Sequence, residues 1–514
     1  MSLKPDLGPE FLSRLARGGF AETLSESQRL AIHIETKLDE FLSSALEQGK
    51  QIVLTGNPGD GKTQYILIQK EDRSAPDDAF WLPDASAATD YKDDVLDPWQ
   101  EALEADQPGI LAINEGPLHE ILTEFGGEYS FLTKVSYQLN HQTILENDHD
   151  IELPSEDIVV VNLEYRNVLS RPIARQAINK LTQSVFVDSA SSDGHIEYNI
   201  SKLRNDRVQE NIKRLFGSLG KLDVHVTIRD LLNFIAYIIT GGKTQTVVDY
   251  DDDLIYYNLA YTGRGGLFDL LRTYRDPEVL THPFVDSALW AEAQQNVNPR
   301  DIEDARTEIR QEYVRKKRRF IFEDEAMDLG YSSKDLYHVV DYGFLNHRNA
   351  DTASSEDLEN LLRRLNGYFS DSEGMTYELQ LWSAHRYIGG STQAIVSRHS
   401  VSKSDFDIKR PKLNPVITDA IEYVPSFFVL EYTAGDVPVR LKIGREMYSS
   451  FQRIESGIPY ILRDREEEQV ILEFMRDIEY EETKSETSGT VTIKDTNTGK
   501  TERFRIRDNH YEVD

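Results

Sequence analysis

The sequence predicts an α/β fold: a parallel sheet sandwiched by helices, then a helical lid, then a mixed α+β C-terminal region. Three observations predict it. Gln51-Ile-Val-Leu-Thr55 is an apolar, strand-like run that leads straight into a glycine-rich loop, with a helix expected from Lys62. Further apolar runs, Ala79–Leu82, Ile110–Ile113 and Ile158–Val161, follow with polar or helical segments between them. Short strands without polar alternation, interleaved with helices, are what a parallel sheet covered on both faces requires. From about Asn205 the pattern becomes helical, and near the C-terminus it turns to strands.

In chain order, residues 1–25 form an N-terminal segment and 26–200 the sheet core. Leu30, Ile32, Ile34, Leu38, Phe41, Leu42 and Leu46 make a helical stripe across 26–48. Residues 201–300 form the lid: Val208, Ile212, Leu215 and Phe216 share one helix face, and Leu231 to Ile239 mark the next helix, ended by Gly241-Gly242. A charged helical region spans 301–400, with amphipathic helices over 300–320 and 354–369. A mixed domain, 401–514, ends in a hairpin: Thr490–Lys494 and Arg503–Arg507 alternate about Asn497-Thr-Gly499.

Composition narrows the function. With 514 residues, 39% of them hydrophobic, the chain can bury several cores. It contains no cysteine, which removes disulfides, iron–sulfur clusters and thiolate zinc sites. It has no apolar run long enough to span a bilayer and no apolar leader, so a cytoplasmic location and no membrane partner are expected. A net charge of −32 argues against general attraction to nucleic acid and for a self-repelling, soluble surface. DNA could still meet a local basic patch or arrive through a partner.

The sharpest motif is Gly56-Asn57-Pro58-Gly59-Asp60-Gly61-Lys62-Thr63, followed by Gln64, which fits G-x-x-x-x-G-K-[ST] after an apolar strand. Glycines let successive backbone N–H groups turn inward onto phosphate oxygens, and the helix beginning at Lys62 adds its positive end. Lys62 is expected on the β- and γ-phosphates of ATP, and the Thr63 hydroxyl on magnesium.

Hydrolysis also needs a carboxylate near the attacking water. Ile110-Leu-Ala-Ile113-Asn114-Glu115 resembles the Walker B element of AAA+ ATPases, in which Asp-Glu follows the apolar run. The resemblance makes Glu115 the catalytic base. Asn114 stands where Asp is expected; it can still hydrogen-bond a magnesium-bound water, but it brings no charge. Ile158-Val-Val-Val161-Asn162 resembles sensor 1, a polar residue between the phosphate-loop and Walker B strands. Val159–Glu164 could instead be a degenerate Walker B ending in Glu164. Arg229, in Thr227-Ile-Arg229-Asp-Leu-Leu, matches sensor 2 in the lid. An arginine finger acting across a subunit boundary would come from Arg166, Arg171 or Arg175, with Arg175 preferred, and implies a nucleotide-dependent homo-oligomer.

Other motifs carry less. The twelve histidines show no metal-ligand spacing. Arg315-Lys-Lys-Arg-Arg319 could contact phosphates, with Tyr313 and Phe320 stacking on bases, or could pair with Glu312, Glu323 and Asp324. Asp477 with Glu482-Thr-Lys484 loosely matches a nuclease-type acidic set. Taken with Ala112–Leu118, the Arg229 helix, Lys317–Phe322 and Lys442–Tyr448, the chain is similar to the DptF-type ATPase of DNA phosphorothioation-dependent restriction. That resemblance implies an ATPase working with other defence subunits on DNA. A protein-remodelling AAA+ chaperone and a non-hydrolysing, ATP-dependent assembly switch are the alternatives.

Overall fold

The computed structural model describes residues 7–18, 23–71, 76, 78–146, 157–186, 194–222, 224–296, 302–327, 329–336, 355–369, 378–386, 393–435, 437–455, 465–482, 490–495, 501–507 and 510–513. The chain divides into two compact units. The first comprises Met1–Ile144, Asp150–Val340 and Leu413–Val424; the remainder forms the second.

The first unit is built on a four-stranded parallel sheet: β1 (Gln51–Thr55), β2 (Phe80–Leu82), β3 (Gly109–Ala112) and β4 (Ile158–Asn162) lie side by side in the order β2-β3-β1-β4. Alternation along each strand sends Ile52, Leu54, Ile110, Ala112, Val159 and Val161 to one face and Val53, Leu111, Ile158 and Val160 to the other. Both faces are buried, which is why the strands read as unbroken apolar runs.

Helix α1 (Pro9–Leu15) packs with the lid, not on the sheet. The stripe expected to be one helix over 26–48 is two, α2 (Glu26–Ile32) and α3 (Lys37–Glu47). His33 is extended, and Thr36 with Asp39 forms a capping box that starts the second helix afresh. Helix α3 and α4 (Lys62–Glu71) cover one face of the sheet; α5 (Asp97–Glu104), α6 (Glu115–Phe125) and α7 (Ser130–Asn140) cover the other. Ile417, Ala420 and Ile421, from the far end of the chain, complete the first of these layers.

Beyond the sheet, α8 (Arg171–Leu181), α9 (His195–Leu203), α10 (Asp206–Leu219), α11 (Ile228–Thr240), α12 (Tyr256–Thr262), α13 (Gly266–Arg275), α14 (Pro283–Asn296) and α15 (Ile302–Glu323) share one helical core. Helix α11 starts on a Thr227–Asp230 capping box and ends at Gly241 with φ 58°, the left-handed stop that glycine permits.

In helix α15 the Arg315–Arg319 run pairs with acids, Glu312 and Glu323 among them. Lys317 is fully buried and pairs with Asp286 at 2.8 Å. Lys316 meets Glu292 at 3.1 Å, Arg315 meets Glu312 at 3.2 Å, and Arg319 meets Glu323 at 3.0 Å. Arg318 lies over the Tyr261 ring, and Phe320 is in the core. Lys317 and Phe320 are buried in the helical layer, while Arg315 and Arg319 stay partly exposed beside their carboxylate partners.

The second unit is antiparallel. β5 (Glu378–Arg386), β6 (Gln393–Ser402), β10 (Thr490–Asp495), β11 (Thr501–Arg507) and β12 (His510–Val513) form one sheet, and β7 (Phe406–Lys409), β8 (Phe427–Tyr432) and β9 (Val439–Gly444) another. The expected terminal hairpin strands pair, Thr490 opposite Arg505; the turn at 497–499 lies outside the described residues. Helices α16 (Ser355–Phe369), α17 (Arg445–Glu455) and α18 (Arg465–Glu482) share the core of this unit. In the acidic set, Glu482 binds the Tyr432 hydroxyl and Asp477 pairs with Arg476, while Lys484 lies outside the described residues.

Asp286→Ala should leave the buried Lys317 ammonium without its carboxylate and lower stability by about 2–3 kcal/mol, toward the low end because Asp286 is partly exposed. Urea unfolding would show a lower midpoint at unchanged slope.

Candidate functional site

The loop between β1 and α4 turns on glycines that no other residue could replace without strain. Gly56 has φ 132° and Gly59 φ 103°. A Cβ on Gly56 would stand 2.7 Å from the Asp60 carboxylate, and one on Gly59 would stand 3.1 Å from Thr227 Oγ1. Inside the turn, Lys62 Nζ donates to the carbonyls of Gly56 (3.0 Å) and Asn57 (2.9 Å). Burial, only partly offset by Asp60 and Asp84 and reinforced by Arg166 and Arg229, lowers its pKa to about 8.

Asp60 is fully buried. One of its oxygens accepts from Asn57 N–H at 2.7 Å, the other from His225 Nε2 at 2.9 Å. Behind the loop, Arg166 donates to the Asp60 carbonyl and to Tyr65 Oη (3.0 Å), with its guanidinium over the Tyr65 ring. Arg166 is thus an internal brace and not a finger reaching a neighbour. Arg171 is two-thirds exposed and lies 3.7 Å from Glu210; Arg175 is exposed on α8.

The first turn of α4 lines a pocket with Pro58, Gly59, Gly61 and the lid residues Ile228, Arg229 and Leu232. The Arg229 backbone N–H donates to Gly59 O at 3.1 Å, so the lid helix begins on the loop itself. Leu15, Leu24, Ile32, His33 and Ile34 line it as well, the last three at the break between α2 and α3. Gln64 lines the pocket too and donates from Nε2 to Arg29 O.

Asn114 lines the pocket, but Glu115 and Asn162 are not among its lining residues. The Asn162 amide oxygen accepts Glu164 N–H at 3.0 Å, capping the turn behind Gly56. The β4 strand does not lie between the loop strand and the Asn114-Glu115 strand, as the sensor 1 comparison expects. Instead β1 pairs directly with both, to β3 through Gln51–Leu54 and to β4 through Gln51–Thr55. Glu115 and Glu164, which the sequence offered as competing choices, are neighbours: they share a hydrogen bond, and burial together with the Glu115 carboxyl raises the Glu164 pKa.

Asp84 was missed. It follows Phe80-Trp-Leu82-Pro83, lines the pocket, and sits beside Pro83, whose carbonyl accepts the Thr63 hydroxyl at 3.1 Å. Its signal was present as an apolar run closed by an acid, obscured by the intervening proline. Ser86, two residues on, accepts Asn114 N–H at 2.7 Å and ties the ends of β2 and β3 together.

Among the described residues no set of histidines and carboxylates could hold a metal unaided, and no helix is long and apolar enough to cross a membrane. Compared with family models, curated proteins and solved structures, the chain finds no match in any of the three.

Two adjoining carboxyls repel when both are ionised, and the raised Glu164 pKa means the folded state gains from keeping its proton. That gain fades as pH rises through the raised value. Glu164→Gln should therefore stabilise the protein at pH 7 by about 0.5 kcal/mol, small because the pair is partly solvated. The gain should shrink toward pH 4, as urea titrations at the two pH values would show.

Proposed function

We propose that the chain binds ATP with magnesium at Gly56–Thr63 and hydrolyses it as a P-loop ATPase of the AAA+ type. One observation carries the reading: a buried ammonium, Lys62, is held by two loop carbonyls in a pocket that also has an apolar lining. Those bonds can be exchanged for phosphate oxygens, while Ile32, Ile34, Ile228 and Leu232 suit a flat base.

Residues for magnesium fit as well. The Thr63 hydroxyl, the Asp84 carboxylate and the Asn114 amide are hard oxygen donors lining one pocket. Asp84 supplies the negative charge that Asn114 lacks. Bound there, the ion would neutralise charge on the transferring phosphoryl group. Strand order supports dividing the roles this way. The Asn114 strand lies between the loop strand and the strand leading to Asp84, the place the AAA+ resemblance gives to sensor 1. Asn114 then orients the water, Asp84 serves the metal, Arg229 serves as sensor 2, and Glu115, beside Glu164, accepts the proton. Arg175, exposed on α8, is the proposed finger in a nucleotide-dependent oligomer.

On its resemblance to the DptF-type ATPase, the chain would act in the cytoplasm as the ATPase of a DNA restriction complex. Because Arg315–Arg319 are engaged within the helical layer, the DNA contact is assigned to partner subunits. A second reading, an ATP-dependent assembly switch without turnover, is favoured by the engagement of Glu115 with Glu164 outside the pocket lining.

Lys62→Ala should abolish ATP binding in a titration with a fluorescent analogue; wild-type affinity would refute the site. Asp84→Asn should raise the magnesium needed for half-maximal turnover at least about tenfold, while Asn114→Ala lowers turnover at saturating magnesium. Steady-state assays with and without DNA, alongside Glu115→Gln, decide between ATPase and switch.

A further inference from the structure

Two acceptors bracket His225. Its Nδ1 lies 3.1 Å from the carbonyl oxygen of Glu164, and its Nε2 lies 2.9 Å from Asp60 Oδ1. A carbonyl oxygen can only accept, and the buried Asp60 carboxylate accepts at both of its oxygens. An imidazolium, protonated on both ring nitrogens, satisfies both acceptors at once. Three elements meet at this ring: the glycine loop through Asp60, the turn after β4 through Glu164, and, two residues on, Thr227 at the start of the lid helix. There the Arg229 N–H reaches Gly59 O.

We propose that His225 is a positioning residue of the nucleotide site, its imidazolium clamping the Asp60 end of the glycine loop to the base of the lid helix so that loop and lid are set together. The clamp rests on the reading of Gly56–Thr63 as a nucleotide site, but its structural half does not. Asp60 is fully buried, and a buried carboxylate that loses a charged, hydrogen-bonded partner is strongly destabilised, so the His225 contact matters to the loop itself. The Arg166 guanidinium binds the Asp60 carbonyl, leaving the carboxylate to Asn57 N–H and His225. Lys62 lies close enough to feel the Asp60 charge, yet its own bonds run to the Gly56 and Asn57 carbonyls.

The groups facing the ring fix the direction of its pH response. Burial lowers the His225 pKa, but hydrogen bonding and charge from Asp60, with the Glu164 carbonyl and carboxyl, outweigh it and raise the value above that of an ordinary histidine. The clamp is thus complete below the ordinary histidine pKa and is lost as pH rises through the raised value.

The test uses the full chain as wild type, His225→Gln, Asp60→Asn and the double variant. In nucleotide-free protein at pH 6.5, hydrogen exchange at the Arg229 amide should be faster in His225→Gln, with β1 and β3 amides unchanged. Corrected for intrinsic rates, wild-type protection there should decline toward pH 9 and meet the variant's. ATP affinity at pH 6.5 should fall about tenfold in His225→Gln, the loss expected for a charge-assisted hydrogen bond. The double variant should bind no worse than Asp60→Asn alone, because one interaction is removed only once. Wild-type exchange and affinity in His225→Gln, or strictly additive losses in the double variant, overturn the clamp. If wild type fails to bind ATP at any pH, the nucleotide reading falls, and the exchange at Arg229 still decides whether His225 sets loop against lid.

Discussion

The constraint on which this site depends is the burial of opposite charges within one eight-residue turn. Lys62 and Asp60 are both withdrawn from water, two positions apart, on either side of Gly61. Taking either alone out of water would cost several kcal/mol; each is tolerable only because donors and acceptors surround it. Lys62 is met by carbonyls that glycine's backbone freedom turns inward, and Asp60 by one amide and one ring N–H. The loop therefore has little freedom to relax. Its shape follows from satisfying two buried charged side chains with main-chain groups and the His225 ring.

The same economy runs outward from the loop. Glutamine side chains bind the edge strand: Gln138 on α7 meets both N–H and carbonyl groups of β4, and Gln142, just past the helix, accepts from Asn162 N–H. These bonds replace the ladder partners that an edge strand lacks on its open side. The turn carrying Asn162 and Glu164 is thus tied to Gln142, and the Glu164 carbonyl accepts from the imidazole of His225. Pocket, lid and edge strand are parts of one hydrogen-bonded frame.

How much of this was legible depended on whether the signal was local. The glycine loop, the four strands and the capped helix α11 are written in short windows, because apolar runs and capping boxes act over a few residues. Arg229 could be placed for the same reason: Thr227 announces the start of its helix, and the helix start meets the loop. Neighbours in space were not legible. Nothing in Val159–Glu164 says that Glu164 lies against Glu115, or that β1, and not β4, sits beside β3; strand order is decided by crossovers, which sequence does not print. The break at His33 was hidden by an apolar spacing that suits two short helices as well as one long helix. Arg315–Arg319 shows the same limit in its partners. A run of five cations looks exposed when read alone, yet its partners, Asp286 and Glu292 among them, come from the preceding helix.

The segment Leu413–Val424 shows why the C-terminal half cannot be treated as an appendage. It belongs to the first unit, although the chain on both sides of it belongs to the second. Ile417, Ala420 and Ile421 fill the layer over β1 and β4, and Glu422 accepts the Asn167 N–H through its carbonyl and the Lys37 N–H through its carboxylate. Asn167 directly follows Arg166, the brace of the loop, and Lys37 opens α3 just after the His33–Ile34 wall of the pocket. Removing everything after α15 would therefore strip apolar cover from the sheet and unfasten both of these points at once. The first unit as a folding entity must include this late stretch of chain, and a shortened chain that omits it is a poor measure of what the site can do.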